Sequence, residues 1–544
     1  MAGPAKLLKR ITLLTRLTKL FCFFSNSCYL SLKKFYISLA IILSIFLALD
    51  IYLGLIFGGP EGGTYDLVMK YRFNSPAPAE QVVIIDIDEK SLAALAPEYG
   101  RWPWARSVFG EVLASLEYEQ PKAIIFNILM TDPDTNNKES DLIFQEVTTD
   151  LKKTIFPFVR LNQENDAISK VKLSDLKDSS IEDKNDSTVA VLLPFLKPMQ
   201  ESMGISNLLQ DDDGSIRKYA FLFEDEKFKY PSLVKKAIDI QNQDLKAPDN
   251  FYVNWRNKKG SYKRVSFSDF FNYLQGQNES FNFDFKNKYI VIGSSAPGIA
   301  NLKATPMNIN TDDNFIVANA VDDVLNDSYI RLVPNYINFI VGLITIFLTS
   351  LLFIKRADDI NEDIIFGIYQ AIVIGVMFLL INYTPIFADF SGAVTFGLIY
   401  FAVAKVFATL SDRSLYGAKE HIESLLDENI NSFAIIPFNV EKVDKKNKEA
   451  LFTDLVSSYG VKSCFMNQNN FVENKVSELM NNFGCFLIFS DKSSKIFIKE
   501  IDSMLKKYPD YDQSESYTIN KKLEFDDLKI DINKKILAAL IKVN

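Results

Sequence analysis

Val82-Val83-Ile84-Ile85-Asp86-Ile87-Asp88 is an unbroken apolar run, rich in β-branched residues and closed by acids. Such a run reads as a buried strand whose terminal carboxylates cap the helix that follows, and Ser91–Ala96 begins that helix. A second helical pattern, Arg106–Glu117, leads through Pro121 into another apolar run, Ala123–Leu129. This strand–helix–strand rhythm predicts an α/β domain. The pattern weakens over Asp141–Val191, where acids and lysines are dense and aromatics few, so surface helices and excursions are predicted there. It resumes with strand-like Ile216–Phe223 and Phe251–Trp255, then with Lys288–Gly293, which runs into Ser294-Ser295-Ala296-Pro297-Gly298.

Outside this domain lie four apolar stretches near the roughly 20 residues that a helix needs to cross a bilayer. They are Phe35–Phe57, Tyr336–Ile354, Ile364–Ile381 and Phe390–Leu410. The leader before the first carries Lys6, Lys9, Arg10, Arg16, Lys19, Lys33 and Lys34 and no acid. Positive charge is retained inside, so the N-terminus is expected in the cytoplasm. Counting crossings puts residues 58–335 outside and everything after Leu410 inside, and Lys355, Arg356, Lys405 and Arg413 agree with that count. The first stretch lacks a small-residue cleavage site and is expected to stay as an anchor. Within the leader, Leu7, Leu8, Ile11, Leu14, Leu17 and Phe21 interleave with the basic residues at helical spacing, which suits a helix on anionic lipid; an unstructured basic leader is the plainer reading. Asp50, a carboxylate within an apolar span, is costly there and is expected to face another helix or the outer interface. Few other charges interrupt the spans, which argues against a channel or transporter.

Composition removes several function classes. A chain of 544 residues is too long for one core. Its net charge of −8 offers no global attraction to phosphate backbones, so a nucleic-acid partner is not expected. One histidine, His421, excludes multi-histidine metal sites and leaves little room for a Ser-His-Asp hydrolase. The four cysteines, Cys22, Cys28, Cys464 and Cys485, all fall on the inner side of this topology, so the outer domain folds without disulfides. No cofactor, catalytic or metal-binding motif is read in the chain.

Three outer motifs carry candidate ligand contacts. Trp102-Pro103-Trp104, followed by Arg106, offers an aromatic wall with indole N–H donors, or else core packing around a proline turn. Gly293-Ser294-Ser295-Ala296 follows a strand, where small residues expose backbone N–H groups to an anion, or else close a tight loop. Asp211-Asp212-Asp213-Gly214 lacks the spaced ligands of a calcium loop and reads as a turn. Trp102, Trp104, Arg106, Ser294 and Ser295 are the candidate ligand-binding residues.

These residues also carry a resemblance. Tyr65-Asp66 with Arg72, Val82–Ile87 with Asp88-Glu89 and Ser91-Leu92, and Trp102-Pro103-Trp104 with Arg106 resemble the CHASE sensory domain of the second type. The likeness continues through Pro133-Asp134, Asp213-Gly214 with Arg217, Pro231-Ser232-Leu233, Val291–Ala296, Thr305-Pro306 and Ala318-Asn319, over about residues 60–335. That family is similar in architecture too: one N-terminal span, an extracytoplasmic sensor, three closing spans and a cytoplasmic output such as a cyclase or kinase. The resemblance implies dimerisation and a role in sensing. Asn127 and Asn301 depart from it, standing where such domains commonly carry Asp.

The tail begins with helical spacing over Asp412–Leu426, a linker continuing from the last span, on which His421 is a surface residue. Strands are predicted at Phe433–Val440, Val461–Phe465 and Cys485–Phe489, and helices at Asn447–Tyr459, Val472–Asn482 and Ser493–Lys507. By its position after such a sensor, this order resembles a class III nucleotide cyclase domain, whose chemistry needs two metal-holding carboxylates. The resemblance puts the first near Phe438-Asn439 and the second at Gly484-Cys485, where this chain has neither; Cys464 and Cys485 read as buried strand residues.

The expected fold class is thus a multi-domain membrane protein: a leader over 1–34, span 35–57, an α/β extracytoplasmic sensor over 58–335, spans 336–354, 364–381 and 390–410, a linker over 411–430 and a small α/β cytoplasmic domain over 431–544. The expected function is a non-catalytic inner-membrane receptor. Its expected partners are an extracytoplasmic ligand or envelope protein, a cytoplasmic protein, membrane lipids and a second copy of the chain. The alternatives are an active cyclase drawing acids from a partner or from Glu441, Asp444 or Asp491, and an envelope scaffold without a switch.

Overall fold

The computed structural model describes residues 32–54, 63–176, 187–226, 228–241, 245–256, 262–278, 280–354, 361–415, 430–439, 445–459, 463–466, 483–508, 511, 515–518, 532 and 535. The basic leader up to residue 31, the linker around His421 and the helix predicted at Val472–Asn482 lie outside these residues. The chain divides into two compact units, the first built from residues 60–333 and 377–389 and the second including the first helix, α1 (Leu32–Leu53).

The first unit is organised by a seven-stranded sheet. Its strands are β1 (Val82–Ile87), β2 (Ala123–Phe126), β3 (Thr154–Arg160), β4 (Val191–Leu192), β5 (Met203–Ile205), β6 (Lys263–Ser266) and β7 (Tyr289–Ser294). The spatial order is β6-β1-β7-β2-β3-β4, with β5 also on β3, and only β4 runs antiparallel to its neighbour. Every residue of β1 and β2 is buried, as strands covered on both faces require.

One face is covered by α3 (Glu89–Tyr99), α4 (Arg106–Tyr118) and α7 (Phe267–Leu274), which pack Leu95, Val108, Val112 and Phe271 against Val83, Ile85, Ile124 and Ile290. The other carries α6 (Leu233–Asp239) and α8 (Asp313–Leu325). Of this unit's other helices, α2 (Gly63–Tyr71) precedes β1 and α5 (Lys138–Asp150) packs on α4, while a short helix, Lys197–Glu201, packs on α5 and β3. Asp88 caps α3 through the Ser91 N–H at 2.8 Å, the capping read from sequence.

Two sequence expectations are corrected. The polar stretch Asp141–Val191 contains β3, a buried strand of the main sheet; the bracketing charges masked Ile155-Phe156 and Phe158. Ile216–Phe223 is two short strands, Lys218–Ala220 and Leu222–Glu224, each in its own two-stranded pair.

The second unit contains α1, α9 (Asn335–Ile354), most of α10 (Glu362–Tyr383), α11 (Ser391–Leu415) and a C-terminal sheet. All four helices are long and apolar enough to cross a membrane. Tyr36, Leu39, Leu47, Ile346, Phe353, Tyr400 and Phe407 form one cluster among α1, α9 and α11. Gly342 lets α9 close on α1, since a Cβ there would stand 2.4 Å from a Leu47 methyl. Asp50 is buried, and Lys405 pairs with Glu362 at 3.3 Å and Asp363 at 2.7 Å.

The C-terminal sheet comprises β8 (Ser432–Asn439), β9 (Ser463–Met466), β10 (Phe483–Ser490) and β11 (Glu515–Thr518), ordered β9-β10-β8-β11 and antiparallel throughout. Among the described residues, α12 (Lys445–Tyr459) and α13 (Ser494–Leu505) complete a βαββαβ, ferredoxin-like order.

Candidate functional site

In an open, mostly parallel sheet, ligands bind in the crevice beyond the carboxyl ends of the strands. Here that position holds a cleft of about 330 Å³, lined by Trp102, Asn127, Ser206, Ser294, Asn301 and Asp313 over apolar Ile128, Leu129, Pro157, Val159 and Ile299. Its volume suits a small molecule.

Asn127 is the first residue beyond β2; its N–H donates to the Ile292 carbonyl of β7 at 2.7 Å, which aims its side chain past the sheet edge. The Asn127 amide donates to Asn314 Oδ1 at 3.0 Å, and Asn314 Nδ2 donates to the Ser294 carbonyl at 3.2 Å. Gly293 makes this possible, because a Cβ there would stand 2.0 Å from Asn314 Oδ1. Asn301 Nδ2 donates to Asp313 Oδ2 at 3.2 Å.

Behind the cleft a buried charge network fixes the start of α8. Arg264 on β6 donates to Asp86 at 2.8 Å and to both oxygens of Asp312, at 3.0 and 2.9 Å. Asp312, fully buried, caps α8 through the Phe315 N–H at 3.0 Å. Among the described residues, its neighbour Asp313 has no such guanidinium. Burial, with a smaller contribution from the Asp312 charge, pushes the Asp313 carboxyl up to about 6, although Asn301 and Asn127 donate to it.

The sequence candidates separate. Trp102 lines the cleft, its ring held edge-on to Trp104 at 5.3 Å and to Phe109 at 5.8 Å. Trp104 is 1% exposed and stacks on Phe267, the core packing that the sequence also allowed. Arg106 opens α4 and is absent from the residues lining the cleft. Ser294 reaches the cleft, but its hydroxyl donates to the Ile87 carbonyl at 2.9 Å and accepts from the Ala296 N–H at 3.2 Å. Ser295 donates to Asp86 at 2.7 Å. Both hydroxyls and the Ala296 N–H of this loop thus bond within the fold.

The Asp211–Gly214 turn closes with Gly214 at φ 82°. Its acids hold no cation site: Asp211 and Asp213 both pair with Arg217, which also grips Asp66. The Arg217 hydrogen bond draws the Asp213 carboxyl down to about 2. Among the described residues no group of three His, Cys, Asp or Glu is placed to hold a metal ion.

Asp313, Asn314, Asp312 and Arg264 were missed as site residues. Their one local signal is the acid pair before the apolar run Phe315–Val324, a helix start. Asn127 and Asn301, singled out only as departures from a family pattern, both stand on the cleft wall.

In the C-terminal sheet, Phe438 pairs with Gly484 and Pro437 with Cys485 across β8 and β10. The two positions where a cyclase resemblance calls for carboxylates are thus adjacent in space, and neither pair of residues supplies one. Cys485 is buried.

A three-layer α/β domain with a polar cleft at its carboxyl edge stands here on a chain with four membrane-length apolar helices, the pattern of a membrane protein. A family model of the CHASE2 domain matches residues 39–354, more than half of the chain, and the protein belongs to that family of extracytoplasmic sensor domains of signalling receptors. No curated protein and no solved structure matches the chain.

Proposed function

We propose that the chain is an inner-membrane receptor whose outer domain binds a small ligand and whose C-terminal domain signals in the cytoplasm by protein contact. The observation that carries this reading is the polar cleft at the carboxyl edge of the sheet in a sensor domain. In this topology the basic leader and the C-terminal sheet are cytoplasmic, α1 and α9–α11 cross the membrane, and residues 58–335 are outside. Resemblance to the family supports a homodimer.

A route for the signal accompanies this reading. Residues 377–389, the end of α10 and the segment leading to α11, belong to the first unit, where Arg331 and Leu332 pair with Ile386 and Phe387. A ligand-driven shift in the outer domain therefore pulls on the turn that joins two spans as well as on the chain leading into α9.

Single cysteines at Tyr118 and Ile496, both exposed, test the topology in intact cells. A membrane-impermeant thiol reagent is expected to label Tyr118→Cys alone; labelling of Ile496→Cys alone would invert the receptor. The βαββαβ topology favours a second reading, an active cyclase. Full-length protein in lipid nanodiscs, given ATP or GTP with magnesium or manganese, is expected to show no turnover; formation of a cyclic nucleotide would establish that rival.

A further inference from the structure

We infer that the cleft takes a small organic cation, a primary ammonium on a short apolar body, with Asp313 as its counter-charge. This rests on the cleft's being the ligand site and names the class of ligand. Among the described residues lining the cleft, Asp313 is the one ionisable group, and no Lys, Arg or His joins it there. Arg264 is committed to Asp86 and Asp312, so the Asp313 charge is met by amide donors without a neighbouring cation. A half-buried carboxylate in that position is costly, which its upward titration reflects, and an ammonium supplies the missing charge together with N–H donors. Trp102 offers an aromatic ring for the cation, and Ile128, Leu129, Val159 and Ile299 accept an alkyl chain.

Other ligand classes fit less well. An anion would meet no cationic side chain, and the positive end of α8 already carries Asp312 and Asp313. A calcium or magnesium ion calls for several charged oxygens, where this wall supplies one carboxylate among amides and hydroxyls.

The test uses full-length protein in nanodiscs and three probes of one shape: n-butylammonium, 1-butanol and butyrate, titrated by ligand-observed NMR. Butylammonium is expected to bind wild type, with affinity at least tenfold lower for D313N and retained by D313E, while butanol and butyrate bind at least tenfold more weakly than the amine. Melting curves check that the variants are folded. Binding of butyrate or butanol as tight as that of the amine, or undiminished amine binding by D313N, would overturn the charge assignment and leave the cleft as a site. If no probe binds wild type, or binding survives Leu129→Trp, which fills the cleft, the cleft reading falls as well.

Discussion

Asn382 and Asn74, far apart in sequence, are clasped together: Asn382 Oδ1 accepts the Asn74 N–H at 2.7 Å, and Asn74 Nδ2 donates to the Asn382 carbonyl at 2.8 Å. The same Oδ1 accepts the Phe73 N–H at 2.9 Å, and Asn382 is 4% exposed. The last turn of α10 is thereby tied to the segment that follows α2.

Asn382→Ala removes the acceptor from two backbone donors, at about 1–3 kcal/mol for each group left unsatisfied. Hydrogen exchange at Phe73 and Asn74 is expected to rise by one to two orders of magnitude while β1 stays protected. Asn382→Asp retains the acceptor and is expected to recover most of the protection.

Gly293→Ala drives a methyl into Asn314 Oδ1, and an overpacked core site typically costs about 1–3 kcal/mol. Because the clash is with a single side chain, the Gly293→Ala/Asn314→Ala pair is expected to be non-additive, regaining part of the loss in a denaturant double-mutant cycle.

Asp312→Ala leaves Arg264 with one carboxylate in a buried site and removes the cap of α8. Breaking such a pair costs about 3–5 kcal/mol, so the outer domain is expected to melt well below wild type or to fail to accumulate in the membrane.

Asp313 sets a pH dependence of definite sign. Its folded carboxyl titrates near 6, above the ordinary carboxylate value of about 3.9, so between these values the folded chain holds a proton that the unfolded chain has lost. Its contribution to stability therefore falls as pH rises through that window. D313N is expected to melt higher than wild type at pH 7.5, with the difference vanishing near pH 4; an equal difference at both values would refute the assignment. Taking wild type against variant isolates Asp313 from Asp323, which also titrates near 6.

The buried strands β1, β2 and β7 were legible because a strand covered on both faces must be apolar throughout, and that pattern lies within six residues or fewer. Strand β3 was hidden by the charges around it, and the Asp211–Gly214 turn showed its acids and a nearby Arg217 but not that they pair.

By itself the sequence determined the apolar helices, the α/β class of the outer domain, the family and the capping acid Asp88, since helix length, strand hydropathy and caps are local properties of the chain. The cleft was decided by tertiary structure alone. Placing β7 between β1 and β2 brings Asn127, Ser294, Asn301 and Asp313 to one edge, and the choice of neighbouring strand leaves no periodic trace in the residues themselves. For the same reason Trp102 and Trp104, two residues apart, were indistinguishable in sequence, and only packing sent one ring to the cleft wall and the other into the core.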